Sequence, residues 1–187
     1  MKLDLITNKA EVKNGVNQND EFYTPIYAIE PLIKYLKPGS KILCPFDSEL
    51  SNYVIYLREK GFNVTYSHIF SGENFFDLTK EMVLDYDYII SNPPYSLKYE
   101  VFKHLFDLDK PFAMLVGVVG LFESQKRFNM FKDNNFEIMY MNKRISYFKD
   151  YSDQTPNLNP PFSSVYICKN ILDNQIVFET IDKSSKR

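Results

Sequence analysis

The chain has 187 residues, 44% of them hydrophobic and 25% charged, with a formal net charge of −2. These proportions describe one globular domain able to bury a sizeable core, and the balanced charge excludes whole-chain electrostatics as the basis of nucleic-acid binding. Aromatic residues are abundant, 14 Tyr and 16 Phe with no Trp, which implies aromatic-rich packing.

Residues 1–20 are polar and Asn-rich and are expected to form an arm ahead of a single domain over 21–187. A helix is predicted from Thr24-Pro25, with Ile29, Leu32, Ile33 and Leu36 as its apolar face and Lys37-Pro38-Gly39 as its end. Lys41 to Phe46 reads as a strand, Ser51 to Lys60 as a helix closed by Gly61, and Phe62 to Tyr66 as a second strand. A loop through Gly72 to Phe76 and a short helix follow. Tyr86 to Ile90 is the next strand, Lys98 to Leu108 a helix and Phe112 to Val119 the most hydrophobic strand. A helix closes over Met130 to Asn135. Glu137 to Asn142, Ile145 to Phe148 and Ser163 to Cys168 are predicted as late strands, with a polar loop from Lys149 to Pro161. The last dozen residues read as a strand-like extension and a basic tail.

Strand–helix alternation with short connections predicts an α/β, Rossmann-like fold whose mostly parallel sheet is covered on both faces. In such sheets a ligand sits beyond the carboxyl ends of the strands, which directs attention to Cys44–Ser48, Ser67–Phe76 and Ser91–Ser96. Two cysteines, Cys44 and Cys168, lie far apart and outside any C-x-x-C pair, so neither a disulfide framework nor a zinc site is expected. The apolar run from Phe112 to Phe122 is too short to span a bilayer, and Met1 to Lys13 has no signal-peptide character. A soluble, cytoplasmic protein is the expectation.

The segment Ser91-Asn92-Pro93-Pro94-Tyr95 follows a strand and stops it, because proline has no backbone N–H for the ladder. It can be a turn. It can also hold a planar amine: the Asn92 side-chain carbonyl and the Pro93 main-chain carbonyl are acceptors for N–H groups, the paired prolines fix them in advance, and Tyr95 offers a stacking face. The motif resembles the [DNS]-P-P-[YFW] signature of class I S-adenosylmethionine-dependent methyltransferases, above all small phage- or prophage-type N6-adenine enzymes. Glu21-Phe22-Tyr23-Thr24-Pro25 resembles the "TP" motif preceding their first strand.

That resemblance implies a seven-stranded sheet, S-adenosylmethionine as cofactor and methyl transfer to the N6 amine of adenine, in DNA rather than RNA. It implies Asn92, Pro93, Pro94 and Tyr95 as catalytic residues, no metal, and cofactor contacts from Tyr23, Thr24, Pro25, Pro45, Phe46, Asp47, Asn74 and Phe75. Where relatives carry an acidic residue and glycines after the first strand, this chain has Cys44-Pro45-Phe46-Asp47-Ser48-Glu49-Leu50-Ser51. Asp47 or Glu49 is then the candidate for the cofactor's ammonium, or an Asp-Ser pair caps its own helix. Ser67-His68 stands where an acid for the ribose is expected, with His68 read as structural. Asn74-Phe75 resembles an Asp-Phe pair that contacts the cofactor's adenine, although Phe75 and Phe76 also suit a core.

Arg144 is the candidate for a phosphate, and Tyr147, Phe148 and Phe162 for the base pocket, with core packing as the alternative for each aromatic. Lys126, Arg127, Lys132, Lys143, Arg144 and Lys149 against Asp133 and Glu137 make a basic stretch, either a solvated surface or a phosphate-facing edge. No separate target-recognition domain is visible, so sequence-specific binding would need the late loop, the N-terminal arm, a homodimer or a protein partner. Two other readings share the residues: methylation of RNA guanine or a protein glutamine, and a methyltransferase-like binding protein without cofactor, acting against a host defence.

Overall fold

A computed structural model describes residues 23–156 and 160–185. The N-terminal arm, with Glu21 and Phe22, lies outside the described residues. The chain opens with a short helix, α1 (Ile26–Ile29), that tightens into a 3-10 turn over Glu30–Tyr35. The predicted single helix is divided because Pro31 cannot donate the i→i−4 hydrogen bond and its ring clashes with the preceding turn.

Three strands and their connections follow: β1 (Lys41–Cys44), α2 (Asn52–Glu59), β2 (Asn63–Tyr66) and β3 (Tyr88–Ser91). Pro45 ends β1 two residues before the predicted limit. Gly61, at φ 86°, supplies the left-handed residue that ends the α2 connection. No α-helix forms between β2 and β3; the segment holds 3-10 turns at Ile69–Ser71 and Phe75–Asp77 instead. Beyond β3 come α3 (Lys98–Leu108), β4 (Phe112–Gly117), α4 (Gln125–Lys132), β5 (Glu137–Met141), β6 (Ser164–Lys169) and β7 (Ile176–Glu179).

The seven strands form one sheet in the order β2-β1-β3-β4-β6-β5-β7. Only β6 runs against the others, pairing antiparallel with β4 and β5, while β7 lies parallel to β5 at the edge. The predicted strand Ile145–Phe148 does not join the sheet. Ile145, Tyr147 and Phe148 are buried, and Phe148 makes an isolated antiparallel bridge to Tyr23.

Period-two alternation assigns side chains to the two faces. Ile42, Cys44, Ile90, Ala113, Leu115, Tyr166 and Cys168 pack on one face with α1 and α2. Leu43, Ile89, Phe112, Met114, Val116, Val165 and Ile167 pack on the other with α3 and Phe131 of α4. Every residue of β4 is buried, as expected of a strand covered on both sides. No described helix is long and apolar enough to cross a membrane.

From β1 the chain passes first to β2 on one side and then to β3 on the other. The strand order therefore switches between β1 and β3, and a crevice is expected beyond their carboxyl ends. Those ends are Cys44 and Ser91.

Candidate active site

Ser91 closes β3 fully buried, and the chain leaves it through half-buried Asn92, buried Pro93 and half-buried Pro94. Pro94 is extended (φ −56°, ψ 122°), and Tyr95–Leu97 makes one 3-10 turn into α3. Both prolines thus stand in the crevice opening, where no ladder hydrogen bond is demanded of them.

Tyr95 is anchored at its far end. Its hydroxyl shares a hydrogen bond with that of Tyr147 at 2.8 Å, and Tyr147 shares another with Ser164 Oγ at 2.7 Å. Burial, partly offset by those hydroxyls, pushes the Tyr95 phenol up to about 12, so it stays neutral. The Phe162 ring tilts against Tyr95 at 5.8 Å, and Lys98 Nζ lies 5.3 Å from its centroid. Lys98 also donates to the carbonyls of Gly117 (3.0 Å) and Val119 (2.9 Å), tying the start of α3 to the end of β4. Gly117 leaves room for Phe162: a Cβ there would sit 2.6 Å from the ring.

Of the residues expected to line a base pocket, the structure brings Phe162 to Tyr95. Tyr147 and Phe148 are 0% and 1% exposed, so Tyr147 reaches this site through its hydroxyl rather than its ring. Arg144 is exposed on the turn after β5. The basic stretch is divided by the fold, since α4 begins after the carboxyl end of β4 and ends before the amino end of β5. Lys132 therefore stands at the opposite end of the sheet, 3.9 Å from Asp133.

On the other side of the crevice, Pro45 is buried and Phe46 packs at 4.7 Å on Phe75. Phe75 is itself buried, meeting His104 edge-on at 5.0 Å. Asn74 caps the 3-10 turn, its Oδ1 accepting from Phe76 N at 3.1 Å. His68 caps the preceding turn, its Nδ1 accepting from Phe70 N at 3.2 Å. Sequence alone leaves Asp47 between an ammonium ligand and a helix cap. In the structure its carboxylate accepts from Ser91 Oγ at 2.5 Å and from Ser51 Oγ, the residue at the N-cap of α2. Burial raises that carboxyl to about 6 against the lowering effect of the two hydroxyls.

The entry segment and the late loop meet over the start of α2. Tyr23 and Phe148 exchange backbone hydrogen bonds of 3.1 and 3.3 Å, and Tyr151 stacks on Tyr23 at 4.1 Å. Asn52, 1% exposed, donates to the Thr24 carbonyl at 2.9 Å and to Gln154 Oε1 at 3.1 Å. Pro25 stands at the N-cap of α1. Buried Thr24 Oγ1 finds no hydrogen-bond acceptor or donor among the described residues.

Sequence reasoning missed Ser91, Ser51, Asn52 and Ser164 as contributors. One signal was legible: a serine ending a buried strand needs a partner, because an unsatisfied buried hydroxyl is costly.

No protein-family model and no curated protein matches the chain. Among solved structures, it is similar to the modification subunit assigned to a type I restriction enzyme from Vibrio vulnificus, with a TM-score of 0.50 and 12% identity. The match covers 98% of this chain and 52% of that one, so the chain spans about half the length of that subunit. It is also similar to a release-factor-specific protein-(glutamine-N5) methyltransferase from Alicyclobacillus acidocaldarius (TM-score 0.43, 13% identity, 77% and 88% of the two chains). A predicted O-methyltransferase from Agrobacterium tumefaciens gives a TM-score of 0.44 at 11% identity, over 83% and 84% of the chains. At such identities the likeness is one of architecture. The seven-stranded, mostly parallel sheet with helices on both faces is an α/β Rossmann-like methyltransferase fold.

Proposed function

We propose that this chain transfers a methyl group from S-adenosylmethionine to the exocyclic N6 amine of adenine in nucleic acid, DNA in preference to RNA. The observation that carries the reading is the position of Asn92-Pro93-Pro94-Tyr95, directly beyond the carboxyl end of β3 at the switch in strand order.

The adenine amine is a weak nucleophile because its lone pair is delocalised into the ring. Two fixed acceptors on its N–H groups, the Asn92 side-chain carbonyl and the Pro93 carbonyl, favour a pyramidal nitrogen with an available lone pair. Pro93 and Pro94 hold those acceptors in place before the base arrives. Tyr95, fixed by Tyr147 and kept neutral, supplies the stacking face, a contact worth about 1–3 kcal/mol per base in single-strand binders. A duplex substrate must present the base flipped out of the stack.

Residues on the cofactor side fit the donor. The orphaned Thr24 hydroxyl beside the start of α2 has an unfilled hydrogen-bonding capacity that a polar cofactor group would satisfy. Phe46 and Phe75 provide an apolar wall, and Asn74, Tyr23, Pro25 and Pro45 are assigned as further cofactor contacts. When bound, S-adenosylmethionine supplies an already activated methyl group. Arg144 is assigned to a phosphate of the nucleic acid, and Phe162 to the wall of the base pocket. A homodimer or a protein partner would contribute to target recognition.

A second reading, a binding protein that has lost the cofactor, is favoured by Ser48 and Ser51 in place of glycines and by the prior commitment of Asp47 to two serines. Incubation with methyl-labelled cofactor and separate DNA, RNA and protein pools decides. Label in DNA supports the proposal, label in RNA or protein changes the acceptor, and no cofactor binding by calorimetry supports the second reading.

A further inference from the structure

Asp47, Ser51 and Ser91 are 7%, 1% and 0% exposed, and their side chains hydrogen-bond one another. Ser91 Oγ donates to Asp47 Oδ2 at 2.5 Å and Ser51 Oγ donates to Asp47 Oδ1. Each carboxylate oxygen thus accepts one hydroxyl from inside the protein, one from either side of the crevice. Burying a carboxylate carries a large desolvation cost that an aliphatic side chain would avoid. A structural filler therefore does not explain an aspartate here.

The two serines belong to different halves of the crevice. Ser51 stands at the N-cap of α2, behind the loop that follows β1. Ser91 immediately precedes Asn92. Asp47 is itself tethered to the third strand end of the crevice, its N–H donating to the Ser67 carbonyl at 3.3 Å. We propose that Asp47 is a positioning residue that locks the cofactor half of the site to the acceptor half, holding Asn92 at a fixed distance from the methyl donor. This rests on the methyltransferase reading, and it gives Asp47 a role other than the ammonium contact that the sequence offered.

An ionised Asp47 accepts both hydroxyls at once; protonated, it gives up one acceptor position. The titratable groups around it are Cys44 on β1, Tyr53 on α2 and Tyr166 on β6, each pushed up by burial and so neutral, with His68 next to Ser67 on the loop after β2 and Glu49 exposed nearby. Since burial holds the Asp47 carboxyl near 6, the brace tightens as pH rises through that value.

The test is a cycle of Asp47→Asn, Ser91→Ala and the double variant. Each is measured for the cofactor Kd, for single-turnover methyl transfer to random-sequence oligodeoxynucleotides at saturating cofactor from pH 5 to 8, and for thermal unfolding. Each single variant is expected to slow transfer about tenfold with the Kd moved less than about threefold, and the double variant to be no slower than the worse single. The wild-type rise in rate near pH 6 is expected to vanish in Asp47→Asn. Additive rate losses overturn the brace. So does a Kd weakened about tenfold by Asp47→Asn and untouched by Ser91→Ala, the pattern of an ammonium ligand. If the wild type binds no cofactor and transfers no methyl, the methyltransferase reading fails by itself. The lock between Asp47 and Ser91 is then judged on unfolding, where non-additive changes in stability sustain it and additive ones contradict it.

Discussion

The hydroxyls of Tyr95 and Tyr147 lie 2.8 Å apart, so the ring that ends the Asn-Pro-Pro-Tyr motif is set by a residue 52 positions further along the chain. Tyr147 is fully buried and passes the restraint on to Ser164 at the start of β6. Tyr147→Phe removes one hydrogen bond at each side of that hydroxyl while keeping the packed ring. Transfer is expected to fall about fivefold with the cofactor Kd unchanged, and stability by about 1–2 kcal/mol, read by single-turnover kinetics, calorimetry and denaturant unfolding.

Gly117 is the point at which space for Phe162 is decided. A methyl group at Gly117 would meet the Phe162 ring at 2.6 Å, against the backbone of a fully buried strand. Gly117→Ala is expected to cost about 1–3 kcal/mol by overpacking and to displace Phe162 from Tyr95. Its kinetic signature is a raised KM for the nucleic acid with cofactor affinity retained. An unchanged acceptor KM would separate Phe162 from the base pocket.

Asp47 predicts an inverted pH dependence of stability. Its carboxyl lies near 6 when folded against an ordinary 3.8, so between those values the folded protein holds a proton that the unfolded chain has released. Stability from this group is therefore greatest below about pH 4 and declines as pH rises to about 6, by an amount of at most about 3 kcal/mol. Asp47→Asn is expected to flatten that slope and to unfold at a higher temperature than wild type near pH 7, while transferring methyl groups more slowly. Calorimetric unfolding from pH 4 to 8 checks it.

Much of the architecture was legible because the sheet is buried on both faces. The apolar runs Lys41–Phe46 and Phe112–Val119 each contain an observed strand, Tyr86–Ile90 overlaps one that ends at Ser91, and Gly61 marks a boundary that the backbone obeys. Local pattern failed where a distant contact decided. Ile145–Phe148 has the composition of a strand, yet Ile145 and Tyr147 fill the core beside α1 while the backbone meets Tyr23 and the Tyr27 hydroxyl rather than a sheet strand. Pro31 stood in plain view inside the predicted first helix and divided it. At the site, the acceptor motif is contiguous and could be read directly. The restraints on it are not: Asp47 reaches Ser91 across 44 positions, and Asn52 reaches Gln154 across 102. No spacing rule announces such pairs, although a buried polar residue at a strand end announces that one must exist.

The proposed role of Asn92 is to present an amine to a methyl donor. Its most direct test compares wild type and Asn92→Ala for label transferred from S-adenosylmethionine to DNA, with digestion and mass identification of the methylated nucleoside. N6-methyladenine is expected from the wild type and at least about a hundredfold less from the variant, with cofactor binding and thermal unfolding retained. Undiminished N6-methyladenine from Asn92→Ala would contradict it, as would a labelled product whose methyl group is not on an exocyclic amine.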